Sequence, residues 1–169
     1  MSRRIVIADA GPLIALARID SVALLRELFG RIRITETVRD EILPAASAFP
    51  DADLLAHALL EGWIEVIDMP LGDWQPLNPG VDSGEASAIC AACRWRDTGD
   101  SVLLVMDDRA GRLEAKSRSI ALVGTAAVIG LAKTEGLIPV AKPLLERLAR
   151  SGYYLGQAVT AAVLANVGE

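Results

Sequence analysis

The sequence predicts an α/β sandwich with a mainly parallel sheet. Three short apolar runs, at residues 5–8, 102–106 and 120–123, each end at a polar or glycine-containing turn, and helical spacing follows each of them. Strands and helices therefore alternate along the chain, which is the order that builds a parallel sheet covered by helices. Because no repeat or long linker divides the chain, we expect a single domain over residues 1–169.

The first half of the chain begins with the strand at residues 5–8. It ends at Asp9-Ala10-Gly11-Pro12, where Pro12 suits the first position of a helix. Thr35 or Thr37 is expected to cap a later helix, and Pro44 to end it, because proline has no amide hydrogen. The elements expected after the first strand are helices over residues 12–19 and 21–29, a strand over 32–34, the helix ended by Pro44, a loop over 45–50, a helix over 52–61 and a strand over 63–67.

The second half begins with an irregular stretch, residues 68–79, which carries three prolines. Asp82 and Glu85 then have the spacing of a capping box, which predicts a helix to about Arg96. The remaining expected elements are a turn at 98–100, a strand over 102–106, a helix to about 118, a strand over 120–123, a helix to about 133, and helices over 140–150 and 157–167. We expect the last two helices, about 140–167, to pack on the core or extend it.

Composition narrows the class of protein. A net charge of -5 disfavours a protein that coats nucleic acid through bulk positive charge, although a local basic rim beside an acidic site remains compatible with it. The two cysteines, Cys90 and Cys93, fall inside a predicted helix, so we expect packing rather than a disulfide or redox pair. The apolar run at 5–8 is too short for a signal peptide, and no segment is long and apolar enough to span a bilayer. We therefore expect a cytoplasmic protein that does not contact membranes.

Acidic and hydroxyl side chains follow the predicted strands. Asp9 and Asp107 are each the first charged residue after an apolar strand, and Thr125 lies two residues past another. The carboxyl ends of parallel strands meet at one edge of a sheet, so these side chains should converge there. Carboxylates gathered without a basic partner repel one another unless a cation joins them, and an all-oxygen set favours magnesium or manganese.

Each of these residues also has a purely structural interpretation. Asp9 and Asp107 could cap the helices that follow them, Glu85 could serve the capping box, and Glu41 could be a solvated helical acid. His57 is the lone histidine and lies in an amphipathic helix, so no zinc site competes. Two tryptophans, Trp74 and Trp95, could stack on bases, but packing is favoured because neither adjoins a basic cluster.

At this point the sequence resembles a known family. The segments that carry the resemblance are Asp9-Ala10-Gly11-Pro12-Leu13-Ile14-Ala15-Leu16, Val38-Arg39-Asp40-Glu41-Ile42, Asp82-Ser83-Gly84-Glu85-Ala86-Ser87-Ala88-Ile89, Met106-Asp107-Asp108-Arg109 and Gly124-Thr125. They are similar to PIN-domain proteins, most of all to the small prokaryotic, toxin-like (VapC-like) branch, and the similarity runs from residue 5 to about residue 150. It implies a three-layer α/β/α sandwich.

The resemblance also implies a site. It gives the metal-binding carboxylate positions to Asp9, Glu41, Glu85 and Asp107, with Asp108 as an auxiliary, and Thr125 matches a late hydroxyl position. PIN domains commonly carry a hydroxyl residue directly after the first aspartate, whereas this chain has Ala10.

The function implied is that of a metal-dependent endoribonuclease, using Mg²⁺ or Mn²⁺ to hydrolyse RNA phosphodiester bonds and leaving a 3'-hydroxyl and a 5'-phosphate. Arg109, Arg112 and Lys116 recur at helical spacing after Asp107 and could hold RNA phosphates, or could form an ordinary solvated helix face. A toxin would have a cognate antitoxin, and the apolar helix over 140–148 could support a homodimer.

Two rival functions remain open. A non-catalytic RNA- or protein-binding module with the same fold is favoured by Ala10 and disfavoured by the complete set of carboxylates. A phosphotransfer or phosphatase domain could use Asp9 or Asp107 as a nucleophile. Such domains usually carry a lysine after a late strand, where this chain has Gly124-Thr125.

Overall fold

The computed structural model describes residues 4–47 and 53–169. The strands are β1 (Arg4–Ala8), β2 (Ile32–Thr35), β3 (Ile64–Ile67), β4 (Ser101–Val105) and β5 (Ala121–Val123). The helices are α1 (Ala10–Arg18), α2 (Ala23–Phe29), α3 (Glu36–Ser47), α4 (Asp53–Leu60), α5 (Ser83–Asp97), α6 (Arg109–Ser117), α7 (Thr125–Thr134), α8 (Lys142–Arg150) and α9 (Gln157–Val167). All strand pairs are parallel, so the predicted α/β class and parallel sheet are confirmed.

Helices cover both faces of the sheet. Successive side chains of β1 alternate between two apolar clusters, with Val6 in one cluster and Ile5 and Ile7 in the other. The first cluster includes buried residues of α1 to α4 and α7 to α9, and the second includes those of α5 and α6. This is the expected three-layer α/β/α sandwich, and burial on both faces explains why the strands read as continuous apolar runs.

The order of the strands sets the position of a crevice. The sheet order is β3-β2-β1-β4-β5, so the chain moves outward from β1 to β3 and then returns to the other side of β1. The reversal lies between β1 and β4, where the loops that follow the two strands diverge. Ala8 pairs with Val105 at the ends of these strands, and the amide of Asp9 donates to the Val105 carbonyl at 3.0 Å. Asp9 therefore begins at the switch point of the sheet.

Two predicted helix boundaries are wrong. Helix α1 begins at Ala10, which makes Pro12 its third residue rather than its first; proline fits because first-turn amides need no partner within the helix. Helix α3 is capped by the Thr35 hydroxyl, which accepts from the Val38 amide at 3.2 Å, but it does not end at Pro44. It continues to Ser47 because proline removes a single helical hydrogen bond, to the carbonyl of the exposed residue Asp40. Of the loop predicted over 45–50, residues 45–47 are helical and 48–50 lie outside the described residues, as does residue 52 of the next helix.

The last two helices pack on the rest of the chain. Leu145 and Leu148 of α8 and Val163 of α9 are buried in the first apolar cluster. The apolar side of α8 is therefore used within the chain, and the homodimer expected from it stays a prediction. Cys90 and Cys93 are buried and unbridged in α5, while His57 is exposed on α4. Among the described helices, none has the length and apolar character needed to cross a membrane.

Candidate functional site

An acidic cleft of about 760 Å³ lies at the carboxyl ends of the strands. Asp9 reaches it from the end of β1 and Asp107 from the loop after β4, as their positions after buried strands predict. The acidic residues that line it are Asp9, Glu41, Asp82, Glu85, Asp107 and Asp108. The structure thus brings the carboxylates predicted from the sequence to one cavity, together with Asp82.

Asp9 is a buried carboxylate. Its residue is 7% exposed and occupies the N-cap position of α1, but its side chain makes no capping hydrogen bond to that helix, which disfavours the interpretation of Asp9 as a simple helix cap. Burial raises the pKa of Asp9 to about 7, and the charges of Asp82 and Glu41 raise it further, while the Ala10 amide offsets part of the rise. The folded chain therefore holds this carboxylate at a free-energy cost when it is ionised.

Asp107 is held by hydrogen bonds from the first residue of α7 and from the segment between α8 and α9. One carboxylate oxygen accepts from the Thr125 amide at 2.8 Å, and the other accepts from the hydroxyls of Thr125 and Tyr153. A side chain at Gly124 would place its Cβ 2.7 Å from the Asp107 carboxylate, so glycine is needed for this approach. Asp107 does not cap α6. That role belongs to Asp108, which accepts from the Ala110 and Gly111 amides at 2.7 and 3.1 Å.

Glu41 and Glu85 reach the cleft from two helices. The Glu41 carboxylate lies against Gly84, where an added Cβ would be 2.3 Å from its oxygen, and burial followed by the charge of Asp82 raises the pKa of Glu41. Glu85 is 5% exposed and forms the predicted capping box, accepting from the Asp82 amide at 3.1 Å. Burial raises the pKa of Glu85 to about 7, with further rises from the charges of Asp82, Asp108 and Asp9. Glu85 therefore both completes the capping box of α5 and lines the acidic cleft.

The carboxylate oxygens of the cleft are ligands that suit a hard cation, but these side chains lie apart from one another in this structure. Within the described residues, none of the six carboxylates forms a salt bridge with an arginine, lysine or histidine. Across residues 4–47 and 53–169, no three Asp, Glu, His or Cys side chains lie close enough together to hold a metal ion. Burial is the main cause of the raised pKa values of Asp9, Glu41 and Glu85, and repulsion between unneutralised carboxylates adds to it. The oxygen donors fit Mg²⁺ or Mn²⁺ in kind, provided that they move together on binding.

The predicted basic strip divides into two parts. Arg109 and Arg112 of α6 line the cleft beside the carboxylates. Arg112 is fixed by a hydrogen bond from its guanidinium to the Met106 carbonyl at 2.8 Å. Lys116 is exposed farther along the same helix and does not line the cleft. Phosphates in the cleft would therefore meet the two arginines.

Sequence reasoning did not assign three residues to this site. Asp82 was interpreted as a helix cap alone, although its charge acts on Asp9, Glu41 and Glu85. The signal that could have revealed it is its position three residues before Glu85, at the start of α5. Tyr153 and Tyr154 line the cleft from the segment between α8 and α9, which carries no motif.

The tryptophans that were weighed for base stacking pack elsewhere. The Arg118 guanidinium lies over the Trp74 ring at 4.5 Å and that of Arg33 over Trp95 at 5.4 Å, and both rings pack against the second apolar cluster. This confirms the packing interpretation of both residues.

Comparison with known proteins gives a family. A family model described as a PIN domain matches residues 5–169. The match covers every strand of the sheet apart from Arg4, all the carboxylates of the cleft and the two C-terminal helices. A search of curated proteins gave no match.

Proposed function

The chain belongs to the PIN-domain family, and on this premise we propose that it is an endoribonuclease that depends on Mg²⁺ or Mn²⁺. PIN domains are generally nucleases, and they typically use divalent metal ions. The observation that carries the proposal is the convergence of six carboxylates at the switch point of the sheet, none of them in a salt bridge within the part of the chain that the structure describes, with the pKa values of Asp9 and Glu85 raised to about 7.

Four carboxylates would hold the metal in this proposal. Asp9 and Asp107 come from adjacent strand ends, and Glu41 and Glu85 come from α3 and α5; Asp108 is a weaker candidate because one of its oxygens already caps α6. A bound divalent ion supplies a more acidic water and neutralises charge on the phosphate.

The chain's own residues orient the reaction. Thr125 and Tyr153 hold the Asp107 carboxylate in one direction, so that little ordering remains to be done when phosphate arrives. Arg109 and Arg112 attract the phosphate. Glu41 and Glu85 would orient the attacking water, and one of them would accept its proton. As the bond from water oxygen to phosphorus forms, the bond from phosphorus to the 3'-oxygen breaks, and the 3'-oxygen takes a proton from solvent water, leaving a 3'-hydroxyl and a 5'-phosphate.

A cleavage assay tests this function. RNA is incubated with the purified protein and Mg²⁺, Mn²⁺ or EDTA, and wild type is compared with Asp9→Asn and Asp107→Asn. We expect metal-dependent cutting that falls by about a hundredfold or more in both variants, because each loses a charged ligand position. Asp97→Asn is the matched control, since Asp97 is exposed and pairs with Arg96 away from the cleft.

Other outcomes identify the rivals. Binding of RNA without cutting under every metal condition would indicate the non-catalytic module, for which Ala10 in the cleft wall is the supporting feature. A phosphorylated Asp9 or Asp107 would indicate phosphotransfer.

We also propose that the protein acts as the toxin of a toxin-antitoxin pair in the cytoplasm, with a small antitoxin that blocks the cleft. This rests on the resemblance to the toxin-like branch. Co-expression with the neighbouring reading frame should abolish cutting and yield a stable complex, and size-exclusion chromatography of the free protein tests the homodimer.

A further inference from the structure

One wall of the cleft is aromatic and apolar. The segment 151–156, between α8 and α9, crosses beside the carboxylates and contributes Tyr153, Tyr154 and Leu155, while Val159 follows in α9. Tyr154 is 89% exposed although it lines a concave surface, and Val159 is 50% exposed. An aromatic side chain that is exposed to solvent beside a cavity is typical of a binding site, because the ring contributes most to binding free energy when a ligand covers it.

The segment is tied to the cleft through Tyr153. Its hydroxyl donates to the Asp107 carboxylate, which joins the segment to the acidic wall. Helix α8, which precedes the segment, is itself held: Arg147 donates to the Ile19 carbonyl at 2.8 Å, and Glu169 accepts from the Ala141 and Lys142 amides at 2.7 and 2.9 Å. Tyr154 thus follows an anchored residue, which limits the entropy lost when a ligand binds.

We propose that Tyr154 is a base-stacking residue of the cleft, whose ring stacks on an unpaired base next to the bound phosphate. This inference rests on the proposed ribonuclease function. Tyr153 contacts Asp107 directly, and Tyr154 lines the same cleft as the carboxylates. Bases within a duplex are already stacked and present only their edges, so a single exposed ring selects against paired RNA.

The composition of the cleft supports this choice of ligand. Among the residues that line the cleft, Arg109 and Arg112 supply positive charge for a phosphate, and Tyr154 and Val159 supply exposed apolar surface for a base. A base attached to a sugar phosphate has both parts. Stacking on a protein ring tolerates any base, so Tyr154 would favour single strands without reading the sequence.

Binding measurements test the stacking role of Tyr154 separately from catalysis. A short fluorescein-labelled single-stranded RNA is titrated with protein in Ca²⁺ in place of Mg²⁺, and fluorescence anisotropy gives Kd. We expect Tyr154→Ala to weaken binding by about 5- to 150-fold and Tyr154→Phe to retain it, because the ring rather than the hydroxyl makes the contact. Leu60→Ala is the matched control, since Leu60 is 85% exposed on α4 and does not line the cleft. Duplex RNA should bind weakly and equally to wild type and Tyr154→Ala.

An abasic scan locates the stacked base. At the position that lies on Tyr154, loss of the base and loss of the ring should not add, because both remove the same contact. Equal binding of single strands by wild type and Tyr154→Ala would overturn the stacking role of Tyr154 while leaving the nuclease proposal intact. A loss in Tyr154→Phe as large as that in Tyr154→Ala would also overturn it. Failure of wild type to bind or cut any RNA would overturn both proposals.

Discussion

At the scale of single residues, the cleft depends on glycines as much as on acids. Gly84 leaves room for the Glu41 carboxylate, and Gly124 leaves room for that of Asp107. In both places a Cβ would meet a carboxylate oxygen at 2.7 Å or less. The two glycines therefore let α5 begin directly beside Glu41 and α7 begin directly beside Asp107.

Gly84→Ala should impair activity without destabilising the fold. The added Cβ displaces the end of a flexible side chain, Glu41, while alanine favours the helix more than glycine does. We expect RNA cleavage to fall by roughly tenfold to a hundredfold, the cost of misplacing a reacting group by about an ångström. Thermal unfolding should be unchanged or slightly raised. In a Glu41→Ala background the same substitution should cost no further activity, and an equal loss in both backgrounds would show that Gly84 acts through another residue.

Asp9→Asn should stabilise the metal-free protein while abolishing its activity. The pKa of Asp9 is raised from 3.8 to about 7 in the folded state, so wild type loses stability as pH rises through this interval. Asparagine carries no charge and escapes this loss. The variant should match wild type below pH 4 and exceed it above pH 7, by about 1 to 4 kcal/mol in urea unfolding with EDTA present. A variant less stable than wild type above pH 7 would show that the ionised Asp9 is compensated in the folded protein.

Residue roles could be predicted from the sequence only for residues that directly follow a predicted strand. Asp9 and Asp107 follow buried strands, and parallel strands end at a shared edge, so their convergence was predictable. Tyr153 and Tyr154 were not, because they lie in an irregular segment far along the chain and reach the cleft through the packing of α8 and α9. Periodicity carries no information about such a contact.

At the scale of elements, the irregular stretch before α5 is organised by one buried acid of α6. Glu114 accepts from the amides of Leu77 and Asn78 at 3.0 and 2.8 Å and from the Arg118 guanidinium at 2.7 Å. Burial favours the neutral acid, but these donors outweigh it and the pKa of Glu114 is lowered. This irregular segment ends at Asp82, so Glu114 helps to position the start of α5 at the cleft.

Glu114→Gln should therefore destabilise the protein by about 2 to 4 kcal/mol, because charge-assisted hydrogen bonds in a buried place are lost. The lowered pKa means that the ionised acid stabilises the fold above pH 4.5 and that this contribution disappears as pH falls below it. Urea unfolding at neutral and acid pH measures both effects. Glu146→Gln, at an exposed position of α8, is the control and should be neutral. A difference from wild type that persists in acid would contradict the role of the charge.

Element types could be predicted more securely than element ends. The buried strands and amphipathic helices follow from apolar spacing, and the capping box marked the start of α5 correctly. The helix end predicted at Pro44 was wrong because a proline near the end of a helix removes one hydrogen bond, and the rest of α3 tolerates this loss. The position of Glu114 in an amphipathic helix gave no hint that it anchors a loop 36 and 37 residues earlier.

At the scale of the whole molecule, the fold gathers carboxylates in one cavity, where their ionisation costs free energy. A bound cation would offset this cost. The strand order places β1 and β4 side by side, and every loop that leaves their carboxyl ends adds negative charge to one cavity. The alternation of strands and helices made the sandwich predictable, but it could not give the distances between the carboxylates. Among the described residues these side chains share a cavity without closing on a common point, so the divalent ion that we propose would have to draw them together.

Calorimetric titration of Mn²⁺ into the metal-free protein near pH 7, in two buffers with different heats of ionisation, tests this central claim most directly. We expect saturable binding with release of protons from Asp9 and Glu85, whose pKa values lie at about 7, and loss of that binding in Asp9→Asn. Absence of binding to wild type, or binding that Asp9→Asn leaves unchanged, would contradict the assignment of the cleft as a metal site.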